Sequence, residues 1–111
     1  MKLQDKLKRV RDALNLTSAR GRVGHYQKPT AKQPSYIVWQ EDGEEQAFQA
    51  DNRKASVQIT GTIDLYTQVE YDPLVDEVCE VLSEDEISWT IQSVQYEDET
   101  KLIHYEWRFT L

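Results

Sequence analysis

The sequence predicts an α+β fold: an antiparallel β-sheet with an N-terminal helix, a second helix between strands and a C-terminal β-hairpin. Three observations carry this. Leu3, Leu7, Val10 and Leu14 recur at spacings of four, three and four, which puts one apolar stripe on a helix. From Val57 to Tyr71 apolar and polar residues alternate, as in a strand with one buried and one wet face. Asp72-Pro73 opens a second helical stretch, and alternation returns from Ile87 to Leu111. Hairpin-linked strands with segregated helices imply α+β around an antiparallel sheet.

Taken in order, residues 2–15 read as a helix that stops near Asn15 and Gly21. Strands fall within 22–40: a short one inside Arg22 to Lys28, then Tyr36-Ile37-Val38-Trp39 beyond Pro29 and Pro34. Residues 41–56 are polar, with Phe48 as their one large apolar residue, and read as a long mobile loop. This loop is either a floppy hairpin tip or an arm that orders against a partner with Phe48 as anchor. Residues 57–71 form a long strand in which Gly61 marks a bend or bulge. Residues 72–83 form the second helix, N-capped by Asp72, with Val75, Val78, Cys79 and Leu82 facing inward. The hairpin covers 87–111. Its first strand holds Ile87, Trp89 and Ile91 on one parity and Val94 and Tyr96 on the other, a slip that an extra residue near Gln92-Ser93 explains. Glu97 to Thr100 is the turn.

At 111 residues and 39% hydrophobic content the chain fits one domain, 1–111, with one modest core. Three Trp and six Tyr argue against a disordered chain. No apolar run approaches the roughly 20 residues that cross a bilayer, and the first residues lack the apolar stretch of a secretory signal. One cysteine forms no internal disulfide, so an intracellular domain is expected. The net charge of −7 is unevenly divided: residues 1–35 carry 9 basic and 2 acidic side chains, a balance of +7, and residues 36–111 carry 4 basic and 18 acidic, a balance of −14. The basic segment reads as a solvated helix attached to an acidic body, as a patch for head-to-tail association, which closes into a ring when the rotation permits, or as a phosphate-binding arm, which the acidic body disfavours. Lys6, Arg9 and Arg11 on the first helix, with Phe48 and Asp51 in the loop, are the candidate subunit contacts.

No catalytic constellation is visible. His25 and His104 are the only histidines, and His104 falls on the polar parity of the last strand, where a surface role is expected. Cys79 reads as core. The runs Glu41-Asp42, Glu84-Asp85-Glu86 and Glu97-Asp98-Glu99 lack the ligand spacing of a calcium loop, and Gly21-Arg22-Val23-Gly24 matches no phosphate-binding motif. Neither metal nor cofactor is expected, and no enzyme activity.

The segment Asp64-Leu65-Tyr66-Thr67-Gln68-Val69-Glu70-Tyr71-Asp72-Pro73-Leu74-Val75-Asp76, followed by Ile87-Ser88-Trp89 and by Tyr96 to Trp107, resembles small tail-completion (tail-terminator, head–tail joining) proteins of siphophages and prophages. Pro34 to Trp39, the acidic loop and the element order share the likeness. The resemblance implies a structural protein, not an enzyme. It would form a homo-oligomeric, typically hexameric, ring at the head-proximal end of the tail tube, end tube growth and join the tail to the head connector. Its implied partners are other copies of itself, the tail-tube protein and the head connector protein. Its implied location is the bacterial host cytoplasm during assembly and then the virion tail, without a membrane. DNA would pass through the ring without specific binding, and Asp64, Glu70, Asp76, Glu77 and Glu80 are the candidate acidic channel lining. The alternative is an acidic DNA mimic, or another protein-binding inhibitor, acting as a monomer or dimer. The basic first helix counts against it.

Overall fold

The computed structural model describes residues 2–44, 49–50, 53–54 and 58–111. Helix α1 (Leu3–Leu14) buries Leu7, Val10, Ala13 and Leu14 and leaves Leu3 exposed at its start. It ends where the Asn15 side-chain amide donates back to the Arg11 carbonyl at 3.0 Å. Strands β1 (Val23–His25) and β2 (Ser35–Glu44) follow, then two short strands, β3 (Gln49–Ala50) and β4 (Arg53–Lys54), and then β5 (Ile59–Thr67). Helix α2 (Leu74–Glu84) leads into the hairpin β6 (Ser88–Glu97) and β7 (Leu102–Thr110).

The main sheet has the order β1-β2-β5-β7-β6, and β3 pairs with β4 apart from it. Four strands are antiparallel as expected, but β1 lies parallel to β2, so the sheet is mixed. The cause is the link between them. Tyr26 sits in the left-handed region (φ 69°), and the Pro29–Pro34 stretch carries the chain back before β2 starts.

Two expected boundaries move. Residues 41–44 continue β2, and residues 49–50 and 53–54 pair as a small antiparallel ladder, so the stretch expected as loop contains strand at both places. Strand β5 ends at Thr67, not Tyr71. There the Thr67 hydroxyl donates to Asp72 at 2.6 Å and accepts the Val69 N–H at 3.0 Å, closing a turn that leaves Val69 and Tyr71 exposed. Asp72 caps α2 as expected: its Oδ1 accepts the Leu74 N–H at 2.9 Å while Pro73 already has helical backbone angles. The helix closes with Glu86 in the left-handed region (φ 57°). The Ile87 N–H donates to the Leu82 carbonyl and the Glu86 N–H to that of Ser83. This is a Schellman end with glutamate where glycine is usual.

Gly61 is not itself bulged. The irregularity lies across from it, between Glu41 and Gly43 of β2. Glycine is required for another reason: a Cβ there would stand 2.2 Å from the Gln40 carbonyl oxygen and 2.5 Å from the Phe109 ring. The parity slip in β6 is a true register shift, between Ile91 and Ser93.

Both helices cover one sheet face. Ile37, Trp39, Ile63, Leu65, Trp107 and Phe109 are buried there against Leu7, Val10 and Leu14 of α1 and Leu74, Val78 and Leu82 of α2. The Trp107 indole N–H reaches Cys79 Sγ at 3.4 Å, which places Cys79 against the core as expected. The opposite face carries Asp42, Thr60, Asp64, Tyr66, His104, Glu106 and Arg108.

Candidate functional site

Strand β6 forms one edge of the sheet. Among the described residues it pairs only with β7. Cross-strand register puts Trp89, Ile91, Val94 and Tyr96 on the core side, opposite Phe109, Trp107, Tyr105 and Ile103. Helix α2 meets the start of this strand, where the Trp89 indole N–H donates to Ser83 Oγ at 3.0 Å. Past that point nothing described covers the row: Ile91 is 46%, Val94 53% and Tyr96 57% exposed. Val94, Tyr96 and Ile103, with Gln68 and Glu70 from the turn after β5, line a shallow groove of about 440 Å³. Alternating side chains with one parity shift build the row, and the helices stop short of it. The chain thus offers an apolar strip and an open strand edge side by side, the two features that strand addition or face-to-face docking uses.

The helix-free face is polar and organised. Arg108 forks onto Asp42, with Nη1 donating to Oδ2 at 2.6 Å and Nη2 to Oδ1 at 3.0 Å, and Nη2 also reaches Thr60 Oγ1 at 3.0 Å. The guanidinium holds the Asp42 carboxyl below the usual carboxylate range. Nearby, His104 Nε2 donates to Asp64 Oδ1 at 2.7 Å, and its Nδ1 lies 3.9 Å from Glu97 Oε2. Tyr66 stacks on the His104 ring at 4.2 Å and on Tyr36 at 5.0 Å, with the Lys28 ammonium 5.9 Å from its centre. Burial, then the Asp64 charge, push the Tyr66 phenol up to about 12. A third cluster lies on the helix side at the β1 edge, beside α1. His25 stacks on Trp39 at 3.8 Å and donates to Glu41 at 2.7 Å, and the Tyr26 hydroxyl also donates to Glu41. Burial pushes the Glu41 carboxyl up, but the two donors outweigh it and leave it low; the same contact raises the Tyr26 phenol.

The structure scatters the residues singled out from sequence. Phe48 and Asp51 lie outside the described residues. Arg9 is turned inward: Nε donates to Asp85 Oδ2 at 3.3 Å and Nη2 to the Asp85 carbonyl, tying α1 to the end of α2. Arg11 pairs with its neighbour Asp12 at 2.9 Å, and Lys6 is half-buried on α1. Glu70, Asp76, Glu77 and Glu80 follow one another along the turn and α2, on the helix side, and Glu77 accepts from the Ser18 N–H and hydroxyl. Asp64 stands apart from them on the helix-free face. Sequence reasoning missed the Asp42–Arg108 and Asp64–His104–Glu106 groups, whose members are brought together only by cross-strand register. Among the described residues no helix is long and apolar enough to cross a membrane. No family model matches the chain, and no curated protein matches it either.

Proposed function

We propose that this chain is a structural assembly subunit of the tail-completion kind. It joins copies of itself into a ring that ends the tail tube and meets the head connector, and it acts by fitting against neighbours, without catalysing a reaction. The observation that carries the reading is the uncovered Ile91–Val94–Tyr96 row beside the free edge of β6. An exposed strand edge with an apolar face is a standing risk of uncontrolled association, and proteins normally blunt it with charge or proline. Here Ile91, Val94 and Tyr96 carry neither, and the charged Glu70 and Lys101 only border the groove. A neighbouring copy that lays a different part of its surface along it, head to tail as a ring requires, covers those side chains and satisfies the open backbone groups. The charge division contributes less than the sequence suggests, because Arg9 already serves Asp85 within the chain.

Sedimentation at several concentrations tests this. Wild type is expected to form species larger than a dimer at high concentration. Val94→Lys with Tyr96→Lys places two charges in the row and is expected to leave a folded monomer, with association weakened at least tenfold, the effect of about 1.4 kcal/mol. A wild type that stays monomeric throughout favours the monomeric inhibitor. Unchanged association in the double variant rejects β6 as the contact.

A further inference from the structure

On the helix-free face, Asp64, His104 and Glu106 bring three ligand atoms within 4.8 Å of one another. Asp64 stands directly opposite Glu106 across the β5–β7 ladder, and His104 lies two residues from Glu106 on the same strand and face. Two carboxylates in directly opposed positions repel each other and destabilise a sheet unless something positive lies between them. The one cationic candidate within the triad is His104, which bonds Asp64. We propose that these three side chains form a binding site for a divalent transition-metal ion, zinc or manganese being the chemical class.

The donor set supports this. One imidazole nitrogen and two carboxylate oxygens, without thiolate, suit borderline divalent ions, and their two negative charges balance the ion. A shell with bonds of about 2.1 Å separates its ligand atoms by roughly 3–4 Å, so small side-chain rotations close the cluster onto an ion. Sheet backbone fixes all three positions. The Tyr66 ring stacks flat on His104 and restricts its rotation. With His104 Nε2 on the metal, the ring proton sits on Nδ1, facing the Glu97 carboxylate 3.9 Å away, and Thr100 holds Glu97 in turn with a 3.0 Å hydrogen bond. A carboxylate behind a ligating histidine is the usual device for fixing the ring. Three protein ligands leave coordination positions open for water or a ligand atom from outside the chain. The site is independent of the assembly reading, since it lies on the sheet face opposite the Val94–Tyr96 row.

Isothermal titration of zinc and of manganese into tag-free, chelator-stripped protein tests the site. The expected result is one ion per chain with a dissociation constant on the order of micromolar or tighter. His104→Gln and Glu106→Gln each weaken it at least tenfold, and Glu99→Gln in the hairpin turn does not. Circular dichroism checks that each variant is folded. Absence of stoichiometric binding to the wild type overturns the proposal, as does full affinity in folded Glu106→Gln.

Discussion

The Asp42–Arg108 pair shows how much one residue gains from a local irregularity. The shift between Glu41 and Gly43 lets Asp42 reach across β5 to the Arg108 guanidinium on β7, so one fork spans three strands. Both side chains are about a third exposed, at 33% and 38%, so water screens the pair and its contribution is about 1 kcal/mol, not the larger value of a buried fork. The sign with pH follows from the direction of the shift. The folded carboxyl is held below its unfolded value, so the stabilisation is complete above about pH 4 and is lost as pH falls through the lowered folded value. Asp42→Asn is therefore expected to unfold at lower urea than wild type at pH 7, and the difference should shrink as pH falls through the lowered value of the folded carboxyl. An equal gap at pH 7 and below that value would mean the pair acts through packing and not charge.

At the scale of elements, the ends of α2 show two ways to terminate a helix. Asp72 at the start follows common practice and was legible in Asp72-Pro73. The other end was not, because it uses Glu86 in a left-handed conformation that glycine fills at little cost. Ile87, buried at 2% exposure, follows, and its N–H donating to the Leu82 carbonyl holds the turn in place. Glu86→Gly relieves the strain of a β-carbon at φ 57° but loosens the unfolded chain. The net expectation is a gain of about 0.5 kcal/mol, read as a rise in thermal midpoint of a few degrees. A lower midpoint would show that the Glu86 side chain is itself stabilising. The same contrast explains what the sequence revealed. Periodicity located both helices and the long strands, and the parity change from Ile91 to Val94 located the β6 shift, because those signals sit within one element. The parallel pairing of β1 and the Asp64–His104–Glu106 group depend on which strand lies beside which. His104 and Asp64 are 40 residues apart, and only the β5–β7 register makes them neighbours. The turn after Thr67 was hidden because Val69 and Tyr71 continue the apolar parity after the ladder has stopped.

At the scale of the molecule, two forces compete when copies meet. Each chain carries a net charge of −7, so copies repel at long range. Of the nine basic residues in 1–35 that would offset this, Lys6, Lys8, Arg9 and Arg11 lie on α1, beside the acidic α2, and Arg9 is already bound to Asp85. The apolar row on β6 supplies attraction that salt does not screen. Raising sodium chloride from about 0.1 M to about 1 M shortens the screening length from about 10 Å to about 3 Å. If the β6 row drives assembly, this removes the repulsion and leaves the apolar attraction, so association should hold or tighten. If opposed charge patches drive it instead, the same change should weaken association tenfold or more. Sedimentation of the wild type at the two salt levels separates these cases without any mutation. The expected outcome is a sedimentation coefficient that does not fall with salt, and a clear fall would transfer the contact from β6 to the basic helix.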